Sequence, residues 1–347
     1  MSWYRSAWFR WIVAVVVIVV LAVLPLVADP FANQIIAKIA TFAVAVLGLN
    51  VVMGYAGQVS LGQIFFVGLG AYAAAAVILS DWGKALGFGG IVIAFVLAVA
   101  VPGVAGLLVG LAAARLRGLA IAMVTIALPL VGVPLAKRFS DLTGGAQGES
   151  VRFSKAPAWS GLYDDQWQYY VCVVIAAVVF ALVFFLVRGK YGRAFAIVKS
   201  NEHVAGAMGV SPYRTKVLAM TVAAMVGGVA GFLFLVVNQY TSPDTMGFGH
   251  SIELVISTIV GGAGSIVGSI IGGVYYVLLP LLANQISQAT GYNTQNVIEG
   301  VVILLALFLL PGGLASLPRV IRRLARRRRG HRVAGGVAAA PTNPNTK

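Results

Sequence analysis

Charge, cysteine and histidine are all scarce in this sequence. Charged residues make up 10% of its 347 positions, whereas a soluble domain carries about 25%, so the composition excludes an ordinary soluble enzyme. The single cysteine, Cys172, lies in an apolar run and gives no indication of a disulfide; we expect it to pack as a small hydrophobic residue. His203, His250 and His331 stand alone in the sequence, so neither a metal site nor a catalytic residue is predicted.

The sequence also has no phosphate-binding loop. No G-x-x-x-x-G-K-[ST] stretch occurs, and "RGKYG" at 188–192 lacks both the required glycine spacing and the hydroxyl residue. No cofactor is therefore predicted. If ATP drives the action of this protein, another chain must hydrolyse it.

Long apolar runs dominate what is present. Hydrophobic residues make up 60% of the chain, and the mean hydropathy is +0.93. The runs predict an all-α polytopic membrane protein with about ten transmembrane helices, some of them broken or short. The first run follows Arg5 and Arg10 but has no small-residue cleavage site, so we interpret it as a retained span and not a signal peptide. The predicted spans are 11–28, 34–53, 60–80, 90–114, 118–137, 168–187, 216–238, 250–263, 265–284 and 296–311.

The net charge of +15 is distributed unevenly along the chain. Residues 319–347 contain eight arginines, one lysine and no acid, and residues 188–216 contain six basic residues and one acid. Residues 137–166, in contrast, contain four basic and four acidic residues. Excess Lys and Arg mark cytoplasmic loops, so both termini and the 188–215 loop are predicted to be cytoplasmic.

These charges give a division of the chain into three parts. The basic tail is expected to lie on anionic lipid and to end in a disordered segment, and nucleic acid is not an expected partner. The predicted parts are a cytoplasmic N-terminus at 1–10, a transmembrane domain at 11–312 with a cytoplasmic loop at 188–215 and an extracytoplasmic loop at 138–167, and the cytoplasmic tail at 313–347.

A glycine-rich interruption, "NVVMGYAGQVSLGQIFF" at 50–66, breaks one long apolar run. Glycines let membrane helices pack closely, but irregular backbone at membrane depth survives only where protein or water satisfies it. We favour a helix break beside a translocation pathway here, and simple helix packing for the second glycine-rich stretch at 261–273. The predicted pathway residues of the first stretch are Gly54, Gly57, Gln58, Ser60, Gly62 and Gln63.

Two acids, Glu253 and Glu299, lie near predicted span ends. Ionisable residues in a membrane segment are costly and suggest function. A structural hydrogen bond, a place in the pathway and proton coupling are all open for them. Glu253 joins the predicted pathway residues.

The cytoplasmic loop is predicted to contain a short, sharply bounded helix. Ser200 or Asn201 can cap its start, Gly209 followed by an apolar residue is typical of its end, and Ser211 with Pro212 can start the next helix. A helix this short is marginal alone in water. The rest of the chain, the membrane surface or another protein must therefore cover it.

Four stretches follow one another along the chain: "LGLNVVMGYAGQVSLGQIFFVGLGAYAAA", "LTGGAQG", "GRAFAIVKSNEHVAGAMGVSPYRTKVLA" and "SPDTMGFGHSIELVISTIVGGAGSIVGSIIGG". In this order they resemble the permease subunits of branched-chain amino acid ABC importers. The stretch "RLRGLAIAMVTIAL" at 115–128 makes the resemblance closer to the LivM type than to the LivH type. The similarity extends from about residue 40 to 312.

The resemblance implies a transport subunit of the bacterial plasma (inner) membrane. Its implied partners are a second, LivH-like permease, two ATP-binding subunits and an extracytoplasmic substrate-binding protein. The loop helix would be the coupling helix that contacts an ATP-binding subunit. The sequence departs from the common pattern at His203, Val204 and Gly206. The predicted coupling residues are Glu202, Ala205, Met208 and Gly209.

Two other functions remain open at this stage. A stand-alone proton-coupled transporter or channel for small neutral solutes would use Glu253 or Glu299, although intramembrane charge is scarce for a proton relay. A membrane anchor would depend on residues 319–347. The transported solute is also open, since related permeases handle urea or short amides as well as branched-chain amino acids.

Overall fold

The structure is a computed structural model that describes residues 19–116, 118–157, 160–290, 297–298, 300–302, 304–305 and 313–316. These residues are mostly helical. Residues 19–27 are helical, and a π-helical turn at Asn50–Tyr55 extends the first complete helix. The complete helices are α1 (Pro30–Leu49), α2 (Gln63–Leu79), α3 (Asp81–Ala85), α4 (Phe88–Ala113), α5 (Leu119–Arg138), α6 (Ser140–Thr143), α7 (Asp164–Arg188), α8 (Lys190–Ser200), α9 (Glu202–Ala207), α10 (Pro212–Asn238), α11 (Phe248–Gly261) and α12 (Ile266–Thr290).

Six of the described helices are long and apolar enough to cross a membrane, and α2 and α11 are shorter apolar helices. This confirms the prediction of an all-α polytopic membrane protein. The first and tenth predicted spans lie partly outside the described residues, so the number ten stays a prediction. Glu299 and residues 317–347 lie entirely outside them. The six long spans are Pro30–Tyr55, Phe88–Ala113, Ala120–Arg138, Asp164–Arg188, Pro212–Asn238 and Ile266–Ala289.

Helix α10 is at the centre of the bundle and packs against α1, α2 and α4. Its small residues make this possible, since a side chain on Gly231 would overlap the carbonyl of Val67, and one on Gly70 would approach Gly228 Cα to 2.6 Å. Small residues at helix crossings are the usual basis of close packing in membranes. The seam fixes α2 against α10 and thereby positions the residues just before α2.

Two loops meet at one end of the bundle. Strand β1 (Glu149–Ser150) pairs antiparallel with β2 (Tyr240–Thr241), and Lys137 forms an ion pair with Asp244 at 3.3 Å. The sequence predicts that residues 138–167 and 239–249 share one side of the membrane, and these contacts agree with that. The prediction of an all-α fold missed the strand pair, because two residues are too short for an alternating pattern.

Candidate functional site

The chain between α1 and α2 forms a broken segment at the end of the bundle opposite the strand pair. The π-helical turn widens the last turn of α1, with Ala56 N–H donating to the Val51 carbonyl at 3.0 Å. Gly57 then takes φ +72° and stops the helix. Glycine adopts this left-handed conformation without steric penalty. The break predicted within 54–63 is therefore present, and it follows directly on the π-helical turn at Asn50–Tyr55.

Neighbouring helices satisfy part of the broken backbone. The Leu61 N–H donates to Thr125 Oγ1 on α5 at 3.0 Å, and Gln63 Nε2 donates to the Ala223 carbonyl on α10 at 2.9 Å. Gly62 lies against α5, since a Cβ there would approach the Thr125 carbonyl to 2.8 Å. These contacts meet the requirement that irregular backbone in a membrane be paired within the protein. Gln63 and Gly62 therefore have clear packing roles.

Gln58 and Ser60 are different from Gln63. Both side chains are buried, and Gln58 Nε2 and Ser60 Oγ have no hydrogen-bond partner among the described residues. A buried polar group without a partner is costly. Water or a polar solute in the broken segment would supply the missing hydrogen bonds.

The second glycine-rich stretch contacts the first directly. Asn50, fully buried in the π-helical turn, donates through Nδ2 to the Ser265 carbonyl and to Ser269 Oγ, both at 2.8 Å. Its Oδ1 accepts from the Gly264 N–H at 2.7 Å, and a Cβ on Gly54 would overlap that same nitrogen. Asn50 thus connects the break after α1 to the turn between α11 and α12.

Close packing explains the glycines of the second stretch. A side chain on Gly261 would overlap the Gly268 carbonyl, and one on Gly272 would approach the Ser257 carbonyl to 2.6 Å. This agrees with the packing interpretation of 261–273. The turn between α11 and α12 also contains left-handed glycines, with φ +118° at Gly262 and +83° at Gly264.

Lys199 contacts the break from α8. Its Nζ donates to the Gly54 carbonyl at 2.6 Å. Its methylene stem covers Gly57, where a Cβ would lie 2.6 Å from Lys199 Cγ. The cytoplasmic loop of the sequence prediction therefore lies at the same end of the bundle as the broken segment.

The short helix α9 has the predicted boundaries. Asn201 Oδ1 accepts from the backbone of His203 at 2.9 Å and of Val204 at 3.3 Å, so Asn201 and not Ser200 is the cap. Gly209 has φ +76°, and the Val210 N–H donates to the carbonyl five residues before it at 2.9 Å. This is the expected glycine stop. Ser211 caps α10, with Pro at its first position.

The predicted coupling residues divide between the two faces of α9. Glu202 Oε1 pairs with Lys216 Nζ of α10 at 2.6 Å, and Lys216 is only 4% exposed. Ala205 is fully buried. Met208, 65% exposed, and Val204, 48% exposed, lie on the outer face. Glu202 and Ala205 hold α9 on the bundle, whereas Met208 is available to a partner.

Glu253 is separated from the other predicted pathway residues. It lies near the start of α11, nine residues before Gly262, where the loop that contacts Asn50 begins. Nine residues of helix span about 14 Å. Its Oε2 is 3.1 Å from His250 Nδ1, and Tyr276 Oη is 3.4 Å from the same nitrogen. The structure therefore does not bring Glu253 to the broken segment.

An aromatic cavity of about 230 Å³ lies beside this histidine. Phe42 stacks on Tyr276 with ring centroids 4.2 Å apart and meets Phe234 edge-on at 6.3 Å. Thr245 and His250 are its polar lining residues. The other lining residues are mostly aliphatic or aromatic, so the cavity walls are largely apolar. The full lining is Phe42, Ile64, Val67, Gly68, Ala71, Phe234, Thr245, His250 and Tyr276.

Sequence reasoning missed three polar residues of this arrangement. Asn50 stands within the quoted interruption as an amide in an otherwise apolar run, and that isolation was a usable signal. Lys199 and Lys216 contributed only to the count of positive charge in the loop. Lys199 contacts Gly54, 145 positions earlier, and Lys216 pairs with Glu202, 14 positions earlier. No local sequence pattern indicates the contact between Lys199 and Gly54.

Comparisons with known proteins identify the family of this chain. The family model described as branched-chain amino acid transport system / permease component matches residues 31–307. The high-affinity branched-chain amino acid transport system permease protein LivM of Salmonella typhimurium is 30% identical over 255 residues, covering 67% of this chain and 59% of that protein. LivM of Escherichia coli is 30% identical over 256 residues, with the same coverages.

A second type of permease protein also matches, more weakly. LivH of Escherichia coli is 25% identical over 187 residues, covering 48% of this chain and 58% of LivH. The chain thus matches less than two thirds of the length of these relatives, and no solved structure matches it significantly. These homologues are permease components of transporters and not enzymes. The family match covers most of the chain, which therefore belongs to the branched-chain amino acid transport system permease component family.

Proposed function

We propose that the chain is one permease subunit of an ATP-driven importer and forms half of its translocation pathway. A LivH-like second permease would form the other half, two ATP-binding subunits would dock below, and an extracytoplasmic binding protein would deliver the solute. The family match and the names of the LivM and LivH relatives support this assignment. Branched-chain amino acids are the proposed solutes.

The observation that carries the proposal is that α9 has one face packed on the bundle and one apolar face exposed. Ala205 and the Glu202–Lys216 pair fasten one face of the helix to the bundle. The other face exposes Val204 and Met208. An exposed apolar face on a firmly fastened helix suits a permanent protein partner, since a hydrophobic contact is favourable and little conformational freedom is lost.

This arrangement suggests how ATP would drive transport. Closure of the ATP-binding subunits would displace α9, and the displacement would pass to α8 and α10, on which α9 is fastened. The break at residues 54–63 contacts these helices through Lys199 and Ala223, and the turn at 262–265 contacts the break through Asn50. Rearrangement there would open the pathway alternately to the two sides.

The proposed solute class follows from the polarity of the two regions. Gln58 and Ser60 are neutral, and the aromatic cavity is apolar except at its His250 and Thr245 edge. Neutral or zwitterionic solutes with an aliphatic part match such surroundings, whereas a solute with a net charge would need a buried counter-charge. Glu253, beside His250 near the start of α11, is the proposed acid of the pathway at the end away from the broken segment.

The proposed orientation places α8 and α9 in the cytoplasm of a bacterial cell. The excess of basic residues at 188–216 supports it through the positive-inside rule. Both termini are proposed to be cytoplasmic, with the basic tail on anionic lipid of the inner leaflet. The loop at 138–167 would face outward.

Met208→Arg tests the docking role of α9. The change places a charge on the apolar outer face without touching the buried face. We expect ATP-driven uptake of leucine by the reconstituted importer to fall at least about tenfold, the effect of removing a central interface residue. The ATP-binding subunits should also fail to co-purify with the variant.

Leu86→Arg is the matched control. Leu86 is an exposed leucine, 53% accessible, between α3 and α4 at the opposite end of the bundle. It should retain both uptake and co-purification. Normal ATP-driven uptake by Met208→Arg would contradict the docking role. Uptake by the purified chain alone under an imposed proton gradient would instead support a stand-alone transporter.

A further inference from the structure

We propose that Lys199 is a positioning residue that connects the coupling helix to the broken end of α1. This inference rests on the proposed function, because it assigns the route by which movement of α9 reaches the pathway. Through Lys199, displacement of α9 would shift the segment at 54–57. Without the Lys199 side chain, the conformation of this segment would no longer depend on the position of α9.

The first support is the bond itself. Helix ends leave carbonyl groups without a partner, and these groups carry partial negative charge. Gly54 lies in the π-helical turn that ends α1, and its carbonyl accepts from Lys199 Nζ at 2.6 Å. A hydrogen bond with a charged donor is stronger than a neutral one. The ammonium group thus meets the end of α1 where a cation is most favourable.

The second support is the position of the lysine stem. A Cβ on Gly57 would lie 2.6 Å from Lys199 Cγ, 3.2 Å from its Cβ and 3.3 Å from its Cδ. The stem therefore occupies the space above Gly57 that any other residue would fill. Lys199 thus contacts the break both through Nζ, at Gly54, and through its stem, at Gly57.

The third support is the short connection from Lys199 to α9. Lys199 lies in the last turn of α8, and Asn201, two residues later, caps α9 through two backbone hydrogen bonds. Phe195 and Val198 of α8 are buried. The chain has little room to bend between Lys199 and α9, so the two should move together.

The contact continues beyond the first break. Gly54 packs against Gly264, and Asn50 accepts from the Gly264 N–H at 2.7 Å. A shift of residues 54–57 would therefore also act on the turn between α11 and α12. The contacts run without interruption from the coupling segment through α1 to α12.

Other cations of the loop do not make this contact. Lys190 Nζ lies 5.0 Å from the Tyr191 ring centroid, Arg188 lies 4.2 Å from that of Phe184, and Lys216 pairs with Glu202. Loss of positive charge alone can thus be separated from loss of the Lys199 contact. Lys190 is on the same helix and is exposed, which makes it the matched control.

A thiol reporter tests the contact in the purified full-length chain. Cys172 is the one cysteine of the sequence and is buried, so a Val59→Cys variant carries one accessible thiol, at a position 42% exposed. We expect Lys199→Met to raise the rate of maleimide labelling at position 59 by about tenfold, because the turn loses a charged hydrogen bond. Lys199→Arg should restore the original rate, and Lys190→Met should leave it unchanged.

Equal labelling in the Lys199→Met and parent proteins would overturn the proposal, as would an equal increase with Lys190→Met. If Lys199→Met does not yield folded protein, Gly57→Ala provides the same reading, since it displaces the lysine stem and should also raise labelling. Unchanged labelling in a folded Gly57→Ala variant would overturn the proposal too.

A second measurement concerns the assembled importer. In vesicles with the second permease and the ATP-binding subunits, Lys199→Met should lower leucine taken up per ATP hydrolysed by about tenfold while ATP hydrolysis persists. A purely structural defect would lower both together and would count against the assignment. Absence of ATP-driven uptake in the parent assembly would overturn the proposed function, while the labelling result would still decide the Lys199 contact.

Discussion

The two glycine-rich segments, at 54–63 and 261–273, look alike in sequence and both contain left-handed glycines, but what packs against Gly57 differs from what packs against Gly261 and Gly272. In the first, Gly57 reverses the chain with φ +72° and lies under the stem of Lys199. In the second, Gly261 and Gly272 let the backbones of α11 and α12 touch. Glycine content alone does not separate a chain reversal from a helix seam.

Polar side chains do separate the two. The first segment contains Gln58 and Ser60, which are buried without partners among the described residues. The side-chain oxygens of the second, at Ser265 and Ser269, bond within α12 or to Asn50. Water or a solute at the first segment would supply hydrogen bonds that Gln58 and Ser60 lack, whereas the serines of the second segment are already paired.

The largest expected effect is loss of the seam. Gly261→Val places a branched side chain against the Gly268 carbonyl, so α11 and α12 must separate. We expect the free energy of unfolding to fall by about 3 kcal/mol, the upper range for overpacking, measured by denaturation of the purified chain in detergent micelles. Gly249→Val, on the same helix, is the control because a Cβ there meets nothing within 4 Å. Equal destabilisation by both changes would show that the seam is not required.

An intermediate effect is expected where the two segments meet. Asn50→Leu removes three hydrogen bonds from a fully buried position, among them the bond that the Gly264 N–H donates to Asn50 Oδ1. We expect a loss of about 2 kcal/mol in the free energy of unfolding. Ser269→Ala removes only one of these bonds and should cost less than half as much in the same denaturation assay. If Asn50→Leu were as stable as the parent, the two segments would be independent of each other.

Much of the fold follows from local properties of the sequence. The six long spans follow from apolar runs, and the boundaries of α9 follow from Asn201, Gly209 and Ser211, whose capping and stop preferences act within a few residues. These features depend on near neighbours along the chain. Reasoning from the sequence therefore predicted them.

The connections between distant residues could not be predicted in this way. The bonds from Lys199 to Gly54 and from Asn50 to Gly264 join residues 145 and 214 positions apart. The division of the predicted coupling residues into a buried and an exposed face also required the structure, because Ala205 is fully buried whereas Met208 is exposed. Glu253 was grouped with the break on chemical type, and the length of α11 separates it.

The smallest expected effect concerns why position 57 is glycine. Gly57→Ala combines a left-handed backbone, which costs an alanine about 1 kcal/mol, with displacement of the Lys199 stem. Gly161→Ala is the control for the cost of the left-handed backbone, since Gly161 has φ +64° and a Cβ there meets nothing within 4 Å. The excess destabilisation of Gly57→Ala over Gly161→Ala then measures the contact with Lys199.

A double-mutant cycle separates that excess from other neighbours. In a Lys199→Ala background the Cγ and Cδ atoms are gone, so Gly57→Ala should cost only about the 1 kcal/mol of its backbone conformation. If the excess survives in this background, something other than the lysine stem restricts position 57. If it disappears, glycine is required at position 57 because the Lys199 stem occupies the space of a side chain, whereas at positions 261 and 272 another backbone occupies that space.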